Sequence, residues 1–486
     1  MKKLISMLVA ICLLLALFAC SNADQEAIYS SALEEAQGDS SAAPEASSQP
    51  QGEEADESGL TGELKISAAL RSSALDHWAD RFMEERPGVK VSVEYTVDNP
   101  ENLIQTTGPN TAIDWYQVYV ERIAVDLASG EAADIVDLDL TPIYRFAASG
   151  LLEDLYQWMD NDPQFDKDEY YTNLFQAMET REGELPFLPF AFTFSPIYLN
   201  QIMISKMGVD VEEEYPDGLG WRDLVDLFQK ALETGVADEK TMFAKNQNKR
   251  VLDGYELTDF ISLNTLEASF DSPEWTEYLE AADQLPFERL SRQSVGTSYN
   301  VTNYGVRDYF FSSVPVLFSH LNYWSPIFAV PNSTMPLQYR TEKGNYVFDT
   351  IGCYAIPAGG DNVELAWEFL KFLVEHKDYE EEMSKTSTEG QENPLPSDYS
   401  KLYGSSIPVN RNALEELCQL MFGKSGPTVF ERADEMIWEL NVLSFSDANL
   451  GDSLAEIQSE FYDSHLITAE ECAQQMQERA EIYLRE

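Results

Sequence analysis

Asp137 and Asp139 sit two residues apart in the run DIVDLDL, residues 134–140. In an extended chain that spacing puts both carboxylates on one face, opposite Val136, Leu138 and Leu140. A carboxylate at a strand end can accept hydrogen bonds from ligand hydroxyls; Asp139 reads equally as the N-cap of the helix that follows. Arg71 follows the run ELKISAAL (63–70) and could clamp hydroxyls or a carboxylate, or simply form a surface ion pair. Farther along, His320, Tyr323 and Trp324 gather in SHLNYWSP, just after an extended stretch. Phe194 lies in PFLPFAFTFSP, two residues before Pro196, and Trp115 lies near the start of a helix. Aromatic faces beside carboxylate and guanidinium groups suit a ligand that has both apolar C–H faces and hydroxyls.

Other chemistries find little support. The chain has no GxSxG, HExxH, GxxxxGK[ST] or GxGxxG, and its four histidines, His77, His320, His376 and His465, show no ligand spacing. Asp160-Asn161-Asp162 opens like a calcium loop. Position six, however, is Phe165 rather than Gly, and position twelve is Tyr171 rather than Glu, so a solvated turn is expected. Neither a metal nor a cofactor is expected. A glycosidase pair of carboxylates stays open, because 85 acidic residues offer many pairs. Cys353, Cys418 and Cys472 show no catalytic or metal pattern. Cys418 and Cys472 each lie on an apolar helical stripe, and a bridge between them has no positive sign.

These groups need a scaffold, and the chain alternates strand and helix. Glu63–Leu70 reads as a strand, and Ser73 with Asp76 as a capping box. The helix that follows carries Leu75, Trp78, Ala79, Phe82 and Met83, and Pro87-Gly88 stops it. Val89, Val91, Val93 and Tyr95 alternate with polar residues as a second strand. A helix over 113–129 and a third strand over 134–140 follow, then a helix over 143–148. This order predicts an α/β fold with a mainly parallel sheet, whose ligands bind beyond the carboxyl ends of the strands. Extended segments are expected at 184–198, 315–321 and 346–356. Helices are expected at 362–374, 411–422, 427–442, 449–461 and 468–485, the last with a Thr468–Glu471 capping box.

Composition narrows the partners. The 486 residues hold 32 basic and 85 acidic side chains, a net charge of −53, which repels nucleic acid. Five cysteines are too few for a disulfide scaffold, and the length exceeds what one core of ~250–300 residues fills. Residues 1–20 combine Lys2-Lys3, an apolar run and Leu17-Phe18-Ala19-Cys20. This resembles a lipoprotein signal, with Cys20 the acylated residue and the anchor to the outer face of the membrane. Residues 21–61 hold ten acids and no base, as an extended, self-repelling tether would.

Several segments then fall into one pattern. They are Ser129-Gly130-Glu131-Ala132-Ala133-Asp134-Ile135-Val136, Gly150-Leu151-Leu152-Glu153-Asp154-Leu155, Ile197-Tyr198-Leu199-Asn200, Gly220-Trp221-Arg222-Asp223-Leu224 and Ala366-Trp367-Glu368-Phe369-Leu370-Lys371-Phe372-Leu373, with a closing helix over 467–486. The chain resembles the family 1 extracellular solute-binding proteins of ABC importers, of oligosaccharide or maltose type. It departs from the pattern at Ala133, where the family has Pro, and at Leu199, where it has Tyr.

The resemblance implies two α/β lobes around a cleft: 62–193 with 352–400, and 197–350 with 405–486. It implies a non-enzymatic, monomeric receptor that passes a small solute, an oligosaccharide, to the transmembrane subunits of a permease. Trp324 would be the stacking aromatic, with Tyr323 as the fallback. A secreted glycoside hydrolase, or a receptor for a peptide or other charged solute, are the alternatives.

Overall fold

The computed structural model describes residues 59–97, 111–139, 141–237, 252–284, 310–313, 321, 336–375, 406–444 and 447–485, with residues 111–116, 312, 313 and 448 described as backbone alone. The chain divides into two units, Met1–Glu54 and Ala55–Glu486, and every described residue lies in the second. Cys20, the signal and most of the tether therefore fall outside the described residues.

Strand β1 (Gly62–Leu70) buries Leu64, Ile66 and Ala68 on one face and Ser67 and Ala69 on the other. A strand buried on both faces belongs in the interior of a helix-covered sheet. Strands β2 (Val89–Val97) and β3 (Ile135–Asp137) flank it, both parallel. The chain then forms β4 (Leu188–Phe194), crosses at Ser195-Pro196, and makes β5 (Ile197–Leu199). Short strands β6 (Ile261–Ser262), β7 (Glu267–Ala268) and β8 (Phe311–Ser313) form two small antiparallel pairs, β6 with β7 and β8 with β5. The chain returns as β9 (Val347–Ala355) and adds β10 (Ile407–Pro408) and β11 (Val442–Leu443).

The main sheet runs β10-β4-β9-β3-β1-β2, with β11 beside β9. It is parallel only across β1, β2, β3 and at the β9–β11 pair; β9 is antiparallel to both β3 and β4. The expectation of a mainly parallel sheet fails there for a topological reason. β9 comes back from the other half of the molecule and must enter the sheet from the end at which β3 and β4 finish.

Two hydrophobic cores result. In the first, the helix Ser73–Glu85 buries Leu75, Trp78, Ala79 and Phe82, an i, i+3, i+4, i+7 stripe. Phe82 meets Phe369 and Phe372 of the helix Val363–Glu375 edge-on, at centroid distances of 5.1 and 5.2 Å. The cap is Ser72 rather than Ser73: its hydroxyl accepts from Leu75 N at 3.3 Å. In the second core, Trp275 stacks on Tyr278 amid Phe260 and Phe270, and the helices Ala448–Tyr462 and Ala469–Arg485 close over it. The expected Thr468–Glu471 box is formed, with both reciprocal bonds.

The resemblance implies a second lobe that takes in all of 405–486, and here the packing differs. The helices Arg411–Phe422 and Gly426–Glu439 bury Leu414, Leu417, Val429 and Ile437 in the first core; only the chain from Leu450 onward packs in the second. The pair Ile407–Pro408 explains this, because as β10 it joins β4 and delivers the helices to the sheet's outer edge. Cys418 lies in the first core and Cys472 in the second, both free thiols.

Candidate functional site at the strand ends

The carboxyl ends of β1, β2, β3 and β4 share one edge of the main sheet, toward which β9 runs in from the second core. Of the seven residues singled out for ligand contact, Arg71, Asp139 and Phe194 reach this edge. Phe194 closes β4, pairs with Phe348 and is 2% exposed, so its ring is a core surface and not a platform open to a ligand. Trp115 falls in the helix Thr111–Ser129, with its side chain outside the described residues. His320, Tyr323 and Trp324 also lie outside them.

At the end of β1, Arg71 donates through Nε to Asp76 Oδ2 at 2.9 Å, and its side chain is 52% exposed. Asp76 also accepts from the Tyr95 hydroxyl at 2.8 Å, and the Arg71 guanidinium lies 5.7 Å from the Tyr95 ring. Burial, and then the neighbouring Asp76 carboxylate, push the Tyr95 phenol well above its ordinary range. The guanidinium is thus oriented by a carboxylate and a ring at a half-exposed position beyond the end of β1.

At the end of β3 the ladder stops after Asp137, and side chains take over. Asp139 Oδ2 accepts from Gly352 N at 2.9 Å, and Oδ1 accepts from Cys353 N at 3.0 Å. The Asp137 carboxylate accepts from Asp139 N at 3.1 Å. Asp139 is therefore tied to β9 and does not cap the helix Ile143–Ala148, whose N-cap is Pro142. Burial pushes the Asp137 carboxyl well above the usual carboxylate range, and the Asp139 charge adds to it. Burial also raises Asp139, against the bonds from Gly352 and Cys353. Both residues are half-buried by surface, but crowding by protein at the carboxyls governs their titration.

Sequence reasoning missed the tyrosines that brace this edge. Tyr119 is fully buried, and its hydroxyl lies 2.9 Å from Ser67 O and 2.6 Å from Asp137 O, tying β1 and β3 together. Arg122 donates to Ser67 Oγ at 2.9 Å from the same helix. A buried tyrosine needs a partner for its hydroxyl, which was the available signal. Tyr255 donates to Ser195 O at 2.9 Å, at the β4–β5 crossing, and its ring lies 4.3 Å from that of Tyr339. The Tyr339 hydroxyl donates to Glu256 at 2.6 Å. Burial pushes the Glu256 carboxyl up to about 8. These partners stand 60–83 positions apart in the chain, beyond the reach of any local pattern.

Where the two cores meet, a cavity of about 320 Å³ opens between Tyr144 and Gln176 on one side and Thr258, Ser262 and Asn264 on the other, with residues 441–444 as its floor. Every lining side chain is uncharged. Asn264 donates to Glu179 O at 3.0 Å, and Arg181 pairs with Glu267 at 3.2 Å, both spanning the two cores.

The profile of a family described as "Bacterial extracellular solute-binding protein" matches residues 68–380, more than half of the chain. No curated protein matches it. Among solved structures, the fold is similar to that of the ABC substrate-binding protein Lmo0181 from Listeria monocytogenes in complex with cycloalternan, at TM-score 0.54 and 16% identity, covering 88% of this chain and 100% of that one. It is similar to the sugar-binding protein MalE from Xanthomonas citri at TM-score 0.57 and 12% identity, covering 87% and 98%. An ABC transporter solute-binding protein from Agrobacterium radiobacter K84 in complex with ribitol aligns at TM-score 0.52 and 16% identity, covering 87% and 99%.

Proposed function

Because the chain belongs to the family of bacterial extracellular solute-binding proteins, we propose that it is the receptor of an ABC importer, capturing an oligosaccharide-like solute between its lobes and presenting it to the permease. The family match over residues 68–380 carries this reading. The ligand class draws support from the cycloalternan and ribitol held by two structural neighbours. It draws support also from the charge of the chain and from the groups at the end of β1. From residue 62 onward the chain carries 75 acidic and 30 basic side chains, a net charge of −45, which disfavours an anionic solute. The Arg71–Asp76–Tyr95 cluster offers donors and acceptors together, as paired bonds to hydroxyls require.

In this reading Trp324 and Tyr323 supply the stacking face, with Arg71 and His320 as polar partners and Trp115 at the margin. Ligand favours the closed form because only there do both lobes touch it. The receptor performs no catalysis, acts as a monomer and is held to the outer face of the membrane by acyl chains on Cys20.

Differential scanning fluorimetry against a carbohydrate panel that includes cycloalternan, maltose and ribitol tests the ligand class. A rise in Tm with at least one saccharide is expected, and loss of that rise in Trp324→Ala. A flat response across the panel, with stabilisation by a peptide or a polyamine instead, would move the assignment to a charged solute. Release of a chromophore from an aryl glycoside would replace it with hydrolysis. Mass spectrometry of the membrane fraction tests the anchor: a mature N-terminus without acyl groups on Cys20 rules it out.

A further inference from the structure

We propose that Asp139 is a positioning residue of the interlobe cleft, its carboxylate standing in for a strand in the gap between β3 and β11 and setting the path by which β9 enters the first lobe. β9 carries the chain from the second core into the first, and one of its edges has three successive partners. Residues 347 and 348 pair with β11, residues 354 and 355 pair with β3, and between them Gly352 N and Cys353 N donate to the two oxygens of Asp139. Leu138 N, donating to Cys353 O at 2.7 Å, completes the bridge.

The backbone at this point needs holding. Gly352 has φ +68°, and a Cβ there would come within 2.9 Å of Phe190 Cβ. At this left-handed residue two successive N–H groups of β9, those of Gly352 and Cys353, meet the Asp139 carboxylate beyond the end of β3. A carboxylate, with two oxygens spaced for two donors, fits that pair. Thr350, just upstream on β9, hydrogen-bonds the Cys353 thiol at 3.1 Å across the same kink. With a backbone N–H held by each oxygen, the role proposed for Asp139 is exerted through β9. The geometry stands apart from the solute assignment; only its consequence for lobe closure rests on the two-lobed receptor reading.

The test uses the full chain without ligand, so a wrong solute class cannot obscure it. Asp139→Ala and Asp139→Asn are compared with the parent by hydrogen exchange at Gly352 and Cys353. Interlobe distance is read by single-molecule FRET between clickable residues replacing the exposed Asp80 and Glu274. The core variant Ile143→Val serves as a stability-matched control. Asp139→Ala is expected to speed exchange at those two amides at least tenfold and to broaden the interlobe distribution. Asp139→Asn, which keeps one carbonyl acceptor, should fall between, and Ile143→Val should leave the distribution unchanged. If Asp139→Ala does not fold, the Asn variant decides by the same two readouts. Parent-like exchange, or faster exchange with an unaltered interlobe distribution, would overturn the proposal.

Discussion

Two buried carboxyl systems dominate the chemistry at the level of single residues. Asp137 is raised by burial and by the charge of Asp139. A carboxyl raised in the folded state gives stability that is complete below its ordinary range and is lost as pH rises through the raised value. Asp137→Asn, which keeps an oxygen for Asp139 N, should therefore raise Tm at neutral pH, with the gain shrinking toward pH 4; thermal melts across pH check it. Glu256 follows the same sign over a defined window. Its stabilising contribution is present below about 4.5 and lost as pH rises through about 8. Glu256→Gln should accordingly lose the most stability relative to the parent near pH 5 and the least near pH 9, in urea melts at each pH. The presence of a carboxylate at 139 was legible from strand alternation. Its partners were not, because Gly352 and Cys353 lie 213 and 214 positions away.

Elements are held by geometry that local sequence shows only in part. The left-handed Gly352 lies within a strand whose pairing with β4 keeps one register on either side, Ala191 with Ile351 and Pro189 with Cys353. Gly352→Ala combines a disfavoured φ with a 2.9 Å approach to Phe190 Cβ, and should cost about 1–3 kcal/mol in chemical denaturation. Ser72→Ala removes the hydroxyl that accepts from Leu75 N and should cost about 1 kcal/mol. Helix stripes, stop signals and the Thr468–Glu471 box were readable because they depend on neighbours three or four residues apart. β3 was read as seven residues and forms three. The Asp134 carboxylate accepts from Lys65 N at 2.7 Å, holding one end of the segment by a side chain, and Asp139 holds the other.

Across the whole molecule the excess of acids sets the electrostatics. With a net charge of −45 from residue 62 onward, self-repulsion opposes the compact state and salt screens it within ~8–10 Å at physiological ionic strength. Raising NaCl from 10 to 500 mM should raise Tm, and a fall would show that individual ion pairs outweigh the net repulsion. Among the described residues, contacts between the two cores include Arg181 with Glu267, Asn264 with the Glu179 carbonyl, Arg432 with Glu212 and Gln338 with the Met436 carbonyl.

By itself the sequence determined the α/β character and the helix stripes, which follow from composition and short-range periodicity, while the two-lobed pattern came from the resemblance of its ordered segments to a family. Tertiary structure alone decided that β9 runs antiparallel, that residues 411–439 cover the first core, that Phe194 is buried, and that Asp139 binds backbone. Each of those outcomes depends on which distant segment arrives beside a strand end. A carboxylate carries no mark of whether it will meet solvent, a solute or two backbone N–H groups until the returning strand supplies them.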